Sequence, residues 1–158
     1  MNIWRRRPGI HFIEISRRRG IYFMEQKYCD ELARLRLERA IELLDESEDL
    51  LKEEKYKSAN NRSYYAMEKA IKALLALKGV DAATHSGNLK QFNYHYVFHG
   101  DGTFTPDDYQ IVAAAEQIRN LSDYDDFYIA SKESAVKQVE NARKLVEKIR
   151  HATESLLC

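Results

Sequence analysis

The sequence predicts an all-α fold, in the form of an antiparallel four-helix up-and-down bundle with one short extra helix. Three observations lead to this prediction. Four long segments repeat small or apolar residues at spacings of three and four, which is the period of an amphipathic helix. Short links between helices favour antiparallel neighbours. One run with alternating aromatic residues imitates a strand, but it has no second strand candidate to pair with.

The first two helices are predicted over residues 30–51 and 56–78. Each carries an apolar or small-residue stripe, and Gly79 follows the second helix in the position of a helix C-cap. The stripe of the second helix is made of small side chains, which allow a neighbouring helix to approach closely. We therefore expect the second helix to be the most central. Its small residues are Ala59, Ser63, Ala66, Ala70 and Ala73.

The remaining elements follow from local signals. Residues 80–87 are predicted to be a loop, and 88–98 a short helix, because Leu89, Phe92 and Tyr96 are spaced by three and four. A long helix begins after Thr105, whose hydroxyl can cap it ahead of a proline and two acids. An acidic cluster at 123–126 interrupts that helix, and Ser131 caps the last one, which continues to the end of the chain.

The N-terminal residues differ in composition from the rest. Residues 1–23 carry six arginines and one acid, although the whole chain has equal numbers of basic and acidic residues. We predict that 1–23 are a disordered leader or tail, that Met24 is the true start, and that 24–158 form the helical bundle. A basic arm that binds nucleic acid or an anionic lipid is the alternative.

Composition and motifs exclude several classes of function. No apolar run is long enough to span a bilayer, and the two cysteines form no CxxC motif, so we expect a cytoplasmic protein without membrane contact. His95 and His99 are spaced as a helical metal pair would be, but only Asp101 could join them. We therefore predict no metal site and no cofactor.

Four stretches, taken in order, carry a resemblance to a known family. They are ANNRSYYAMEKAIKALLALKG (59–79), THSGNLKQF (84–92), YVFHG (96–100) and IRNLSDYDDF (118–127). With these stretches the chain resembles the HEPN domain family over about 30–157, and most closely its small stand-alone prokaryotic members. The resemblance implies a helical bundle that commonly forms a homodimer. It also implies a possible partner, because many HEPN genes neighbour a minimal nucleotidyltransferase in two-gene toxin–antitoxin-like systems.

Many HEPN proteins are metal-independent ribonucleases, in which a histidine closely follows an arginine at the end of a helix. Here Arg119 is present, but Asp123 and Tyr124 occupy the region of the histidine. Their usual pKa values, about 3.9 and about 10, suit proton transfer near neutral pH poorly. We therefore predict a nucleotide- or RNA-binding partner of a minimal nucleotidyltransferase that is not an active ribonuclease. The alternatives are a ribonuclease toxin that uses Arg119 with Tyr124 or Asp123, and a protein-interaction module.

Candidate contact residues lie on two helices. Arg62, Tyr65 and Lys69 share an outer face of the second helix, and with Arg119 and Tyr128 they are the predicted nucleotide- or partner-binding residues. Arg119 also has a simple structural interpretation, an ion pair along its own helix with Glu116 or Asp123. Tyr64 is expected in the core. His85 is expected to act as a local cap for the short helix near Asn88.

Overall fold

The computed structural model describes residues 12–16, 21–24 and 26–157, with the side chains of 28–157. Five α-helices dominate it, so the predicted all-α class is confirmed, while the antiparallel four-helix arrangement stays a prediction. In chain order the elements are strands β1 (Phe12–Ser16) and β2 (Ile21–Met24), helices α1 (Gln26–Lys52) and α2 (Tyr56–Leu77), strand β3 (Val80–Ala82), helix α3 (His85–Phe92), a π-helical segment (Asn93–Phe98), and helices α4 (Pro106–Tyr124) and α5 (Lys132–Leu157).

Helix α2 is the centre of the fold, as its small-residue stripe predicted. It packs against α1, α3, α4 and α5. All five small residues of the stripe are fully buried, so neighbouring helix backbones approach α2 closely. Larger side chains fill the remaining space. Met67, Ile71 and Leu74 of α2 meet Val146 and Ile149 of α5 in one hydrophobic cluster.

The predicted helix ends are confirmed. Gly79 has a φ of 68°, a left-handed conformation that glycine adopts without a steric penalty, and α2 ends just before it. Thr105 and Asp108 form a capping box at the start of α4. Ser131 accepts a hydrogen bond from the Ser134 backbone N–H at 3.1 Å and so caps α5.

The short helix begins earlier than predicted and ends in an unusual form. Helix α3 begins at His85 rather than Asn88, because Thr84 is its N-cap and accepts a hydrogen bond from the Gly87 N–H at 3.0 Å. The π-helical segment that follows carries Tyr96, whose hydroxyl donates to the Leu74 carbonyl of α2. This bond joins the segment to α2, and Phe92 of α3 stacks against the Tyr96 ring.

A small antiparallel sheet was not predicted. Strand β2 pairs with β1 and with β3, and all three residues of β3 are buried. The prediction that 80–87 form a loop is therefore wrong for 80–82, because a three-residue strand depends on a distant partner rather than on a local pattern. Whether residues 1–23 are a leader, with Met24 as the start, stays a prediction.

The outer faces of the helices are charged. Arg39 pairs with Glu42 at 2.8 Å on α1, and Arg150 pairs with Glu147 at 2.8 Å on α5. Such exposed pairs add little stability, but they show which faces meet water. None of the helices in the described part combines the length and the apolar character needed to cross a bilayer.

Candidate functional site

Arg119 lies near the end of α4 and packs its guanidinium against two tyrosines of α2. Its Cζ is 5.8 Å from the ring centroid of Tyr64 and 5.6 Å from that of Tyr65. Only 16% of the Arg119 side chain is exposed. A guanidinium held this close to two rings gains a cation–π contribution in addition to its packing. Arg119 is therefore integrated into the α2–α4 contact and is not a freely solvated surface arginine.

The charge of Arg119 is only partly compensated by its neighbours. Its Nε is 3.3 Å from Asp123 Oδ2, which confirms one of the ion pairs expected along the helix. Its Nη1 donates to Asn120 Oδ1 at 3.3 Å, but the buried Nε lacks a well-aligned hydrogen bond. Burial acts to lower the pKa of Arg119, but Tyr65 and Asp123 outweigh it and the pKa is raised. The guanidinium therefore stays cationic.

The two tyrosines have different environments. Tyr64 is 2% exposed, as expected for a core residue, and Tyr65 is half-buried. Their rings meet edge to face with centroids 5.3 Å apart. Burial raises the pKa of Tyr64 first of all, and the nearby Glu68 and Glu116 add to this effect. The Tyr64 hydroxyl therefore remains protonated, and Tyr65 is the tyrosine that solvent can reach.

His85 lies beside the same two tyrosines, and its predicted role as a helix cap is wrong. Thr84 makes the cap, which leaves the His85 side chain to turn toward α2, where its Nδ1 contacts Glu68 Oε1. The His85 ring centroid is 6.1 Å from that of Tyr64 and 6.3 Å from that of Tyr65. The Glu68 side chain is 10% exposed and that of His85 42%. The His85 imidazole, oriented by the Glu68 carboxylate, thus contacts the same two tyrosines as Arg119.

We call these five residues the Arg119 cluster; they are Tyr64, Tyr65, Glu68, His85 and Arg119. The cluster combines a permanent cation, an accessible phenol and an imidazole that contacts a carboxylate. Tyr65 links Arg119 to His85, because its ring contacts both the guanidinium and the imidazole. A phosphate could be bound by such a group, and an aromatic face could stack with a base.

Two further predicted site residues, Tyr124 and Tyr128, lie at and after the end of α4, away from the Arg119 cluster. Tyr124 is 81% exposed and lines a shallow depression with Gln117, Asn120 and Leu121. Tyr124 is thus not brought into the Arg119 cluster, and Asp123 touches the cluster only through its ion pair with Arg119. Tyr128 is half-buried in the link between α4 and α5. Four large apolar side chains are exposed on this part of the chain: Leu121, Tyr124, Phe127 and Ile129.

Arg62, Tyr65 and Lys69 do not form one shared surface, because Arg62 contacts α1 and Tyr65 contacts α4. Arg62 is exposed, and its Nε is 3.3 Å from Glu46 Oε2 of α1. Lys69 is half-buried, and its pKa is lowered by burial and by nearby Lys72 and Arg36. Tyr65 instead meets Arg119 of α4. The structure therefore joins only Tyr65 to the arginine.

A second group of titratable residues lines a cleft of about 610 Å³ between the π-helical segment and α5. Within residues 12–157 as described, no three His, Cys, Asp or Glu side chains are positioned to hold a metal ion. Burial lowers the pKa of His95, and nearby Lys78 and His99 contribute. We call this group the histidine cleft; its polar lining includes Lys78, His95, His99, Asp101, Lys148 and His151.

Comparison with known proteins decides the family. The HEPN domain family matches residues 33–153, which is most of the chain. The protein belongs to the HEPN domain family. The resemblance drawn from the four sequence stretches is thereby confirmed.

Individual relatives come from archaea and bacteria. The chain is 34% identical over 112 residues to a Methanocaldococcus jannaschii protein named "Putative toxin MJ0142", covering 71% of this chain and 74% of that protein. It is 48% identical over 59 residues to a UPF0332 protein of Thermotoga maritima, covering 37% and 45%. A UPF0332 protein of Archaeoglobus fulgidus is 29% identical over 123 residues, covering 78% and 95%.

Two members of the Arg119 cluster were missed as functional candidates in the sequence. Glu68 and His85 are 17 residues apart, and their contact depends on how α3 folds back on α2. A signal was present, because both lie in the stretches that carried the HEPN resemblance. Local spacing could not join them, since it relates only residues of the same helix.

Proposed function

We propose that this HEPN protein is one component of a cytoplasmic two-gene toxin–antitoxin-like system, with a minimal nucleotidyltransferase as its partner. In this proposal the protein binds RNA or a nucleotide through the Arg119 cluster. Family membership supports the toxin-like role, together with the toxin name of the Methanocaldococcus jannaschii relative. The partner is proposed from the HEPN resemblance, in which neighbouring nucleotidyltransferase genes are common.

One observation carries the binding site, namely the packing of the Arg119 guanidinium against Tyr64 and Tyr65. A planar guanidinium is suited to phosphate oxygens, and its orientation here is already fixed by the two rings. The half-buried Tyr65 ring offers a face for a base. Asp123 is the nearby opposing charge, and it contacts Nε, while Nη1 donates to the exposed Asn120 side chain, a bond that a phosphate is able to replace.

The exposed apolar side chains after Arg119 support a homodimer. Phe127 is 93% exposed and Ile129 is 88% exposed, and such a cluster is typical of a protein-interaction surface. In the proposed dimer this surface is covered by a second copy, which brings two Arg119 clusters near one interface. Phe127→Asp is expected to convert the dimer to a monomer in light scattering. An unchanged mass would contradict this assignment of the interface.

Growth and RNA binding test the proposed function together. Induced expression is expected to arrest growth, and Arg119→Ala is expected to remove the arrest and to weaken the binding of mixed-sequence RNA by the purified protein. Arg150→Ala is the matched control, because Arg150 also pairs with acids on its own helix but lies on α5. Coexpression of an adjacent nucleotidyltransferase gene is expected to restore growth. Equal behaviour of the two arginine variants would contradict the binding site.

A ribonuclease is the second candidate function. The prediction of an inactive protein rested on the missing histidine after Arg119, and one observation now favours activity: His85 contacts both tyrosines against which Arg119 packs. An imidazole is suited to proton transfer near neutral pH without adjustment of its environment. Incubation of purified protein with a short RNA separates the candidates, because a binding partner leaves the RNA intact and a ribonuclease cuts it.

A further inference from the structure

We propose that His85 is the proton-transfer residue of the Arg119 site and that Glu68 positions it. The inference rests on the ribonuclease candidate above, and it assigns a role to an imidazole that comes from the α3 end of the fold. In this assignment Asp123 and Tyr124 do not replace the missing histidine. Arg119 supplies the charge that holds the phosphate, while His85 handles the proton.

The contact with Glu68 determines which nitrogen of His85 is available. Nδ1 faces Glu68 Oε1, so the carboxylate favours the tautomer in which Nδ1 carries the proton and donates it. Nε2 is then an unprotonated acceptor. The Glu68 side chain is nearly buried whereas the His85 side chain is 42% exposed. The imidazole is thus anchored on its inner side and accessible on its outer side, which a general base requires.

The tyrosines connect the base to the arginine. The Tyr65 ring lies 6.3 Å from the His85 ring and 5.6 Å from the Arg119 Cζ, measured to ring centroids. An RNA backbone that lies across Tyr65 would therefore meet a cation at one end and an imidazole at the other. The imidazole and the guanidinium therefore border the same aromatic ring, which is the ring proposed to hold the RNA.

The proposed reaction is an internal transfer within the RNA. The ribose 2′-oxygen attacks the adjacent phosphorus, and its proton passes to His85 Nε2. The new O2′–P bond forms as the P–O5′ bond breaks, and the leaving 5′-oxygen takes a proton from water. The products are a 2′,3′-cyclic phosphate and a 5′-hydroxyl end. His85 returns its proton to solvent, and Arg119 stabilises the extra negative charge on the phosphoryl oxygens during the transfer.

A purely structural role for the His85–Glu68 contact makes a different prediction. The contact joins the start of α3 to α2, so its loss would lower the melting temperature in either case. Only a proton-transfer role changes the pH dependence of cleavage. The charged or titratable groups that contact His85 are Glu68, Tyr64 and Tyr65 of α2, and Arg119 and Glu116 of α4 act on Tyr64 in turn; all of them must be held constant.

The experiment compares four forms of the full-length chain: wild type, His85→Asn, Glu68→Gln, and His151→Asn as a control histidine on α5. Cleavage of a short mixed-sequence RNA is measured from pH 5 to 9, with product ends identified by mass. Binding is measured with the same RNA carrying 2′-O-methyl groups, which cannot react. The ¹⁵N shifts of the His85 ring report its tautomer, and melting temperatures report the fold.

We expect His85→Asn to lower the cleavage rate about 100-fold or more, as is usual for loss of a general base, with binding of the methylated RNA preserved. The rise in rate with pH should disappear in the same variant. Glu68→Gln should shift the His85 ¹⁵N signals and reduce the rate with little change in KM. His151→Asn should behave as wild type.

Three results would overturn the proposal in different ways. Wild-type cleavage that His85→Asn leaves intact would reject His85 while leaving a ribonuclease that depends on Arg119. An unchanged pH profile in His85→Asn, with only a lower melting temperature, would assign a structural role to the contact. RNA binding without cleavage by the wild type would reject both the ribonuclease and the role of His85, and would leave the binding function in place.

Discussion

The Arg119 cluster and the histidine cleft both contain histidines beside basic residues, but their internal contacts differ. In the Arg119 cluster His85 contacts a carboxylate and two tyrosine rings. In the histidine cleft burial is the main cause that lowers the pKa of His95, nearby Lys78 and His99 add to it, and the Tyr94 ring contacts both histidines. Both groups thus contain aromatic contacts, but a carboxylate contacts the histidine of the first group, whereas cationic groups disfavour the protonated form of His95 in the second.

The number of basic groups is therefore a poor guide to a binding site. The histidine cleft has more of them, but its Lys148 is already 2.7 Å from Asp108 Oδ2, and Asp101 lies in the same lining. The Arg119 cluster has fewer basic groups, yet each of its members contacts another member of the cluster. Orientation before binding reduces the entropy that a ligand must overcome.

The largest expected effect on RNA affinity comes from removing Arg119, and it is compared with the removal of Lys78 from the histidine cleft. Arg119→Ala should weaken RNA binding by about 2 kcal/mol, roughly 30-fold, because charge-assisted hydrogen bonds to phosphate are lost. Lys78→Ala in the histidine cleft should change the affinity less than about twofold. Fluorescence anisotropy with labelled RNA measures both. A larger loss in the Lys78 variant would transfer the site to the cleft.

A smaller effect is expected from single hydroxyl groups in the Arg119 cluster. Tyr65→Phe removes the accessible phenol that contacts the guanidinium and should weaken RNA binding by about 1 kcal/mol, roughly fivefold. Tyr64→Phe is the matched control, because the Tyr64 side chain is almost completely buried. It should bind RNA as wild type does. Equal losses in both variants would indicate a general disturbance of α2 instead.

The smallest effect concerns the pH dependence of stability in the histidine cleft. Because the pKa of His95 is lowered in the folded protein, the unfolded chain takes up this proton more readily. Stability should therefore fall as the pH drops below the ordinary value of 6.5, toward about pH 5. His95→Asn should lose less stability over this range, measured by thermal melting in matched buffers. The surrounding groups Lys78, His99 and Asp101 remain common to both forms.

Much of the fold was predictable because it depends on local patterns. The spacing of apolar residues predicted the long helices, and Gly79, Thr105 and Ser131 predicted helix ends that the structure confirms. The sheet was missed because Val80–Ala82 becomes a strand only through pairing with β2. Strand pairing between distant segments has no signature in either segment alone.

Only part of the candidate site was predictable, because only some of its contacts lie within a single helix. The ion pair of Arg119 with Asp123 lies within one helix, so spacing sufficed. The packing of Arg119 against Tyr64 and Tyr65 joins α4 to α2, and the His85 contact joins α3 to α2. These contacts depend on how helices are placed in three dimensions. The HEPN resemblance leads one to expect a histidine after the arginine, whereas the imidazole beside the two tyrosines precedes Arg119 in the chain.

The most direct test of the central claim follows the histidine side chains while RNA binds. Imidazole C2–H chemical shifts are recorded during titration with 2′-O-methyl RNA, and His85→Asn identifies the signal of His85. The account predicts that the His85 signal moves while those of His95, His99 and His151 stay in place. Movement of the three histidine-cleft signals with an unchanged His85 would contradict it.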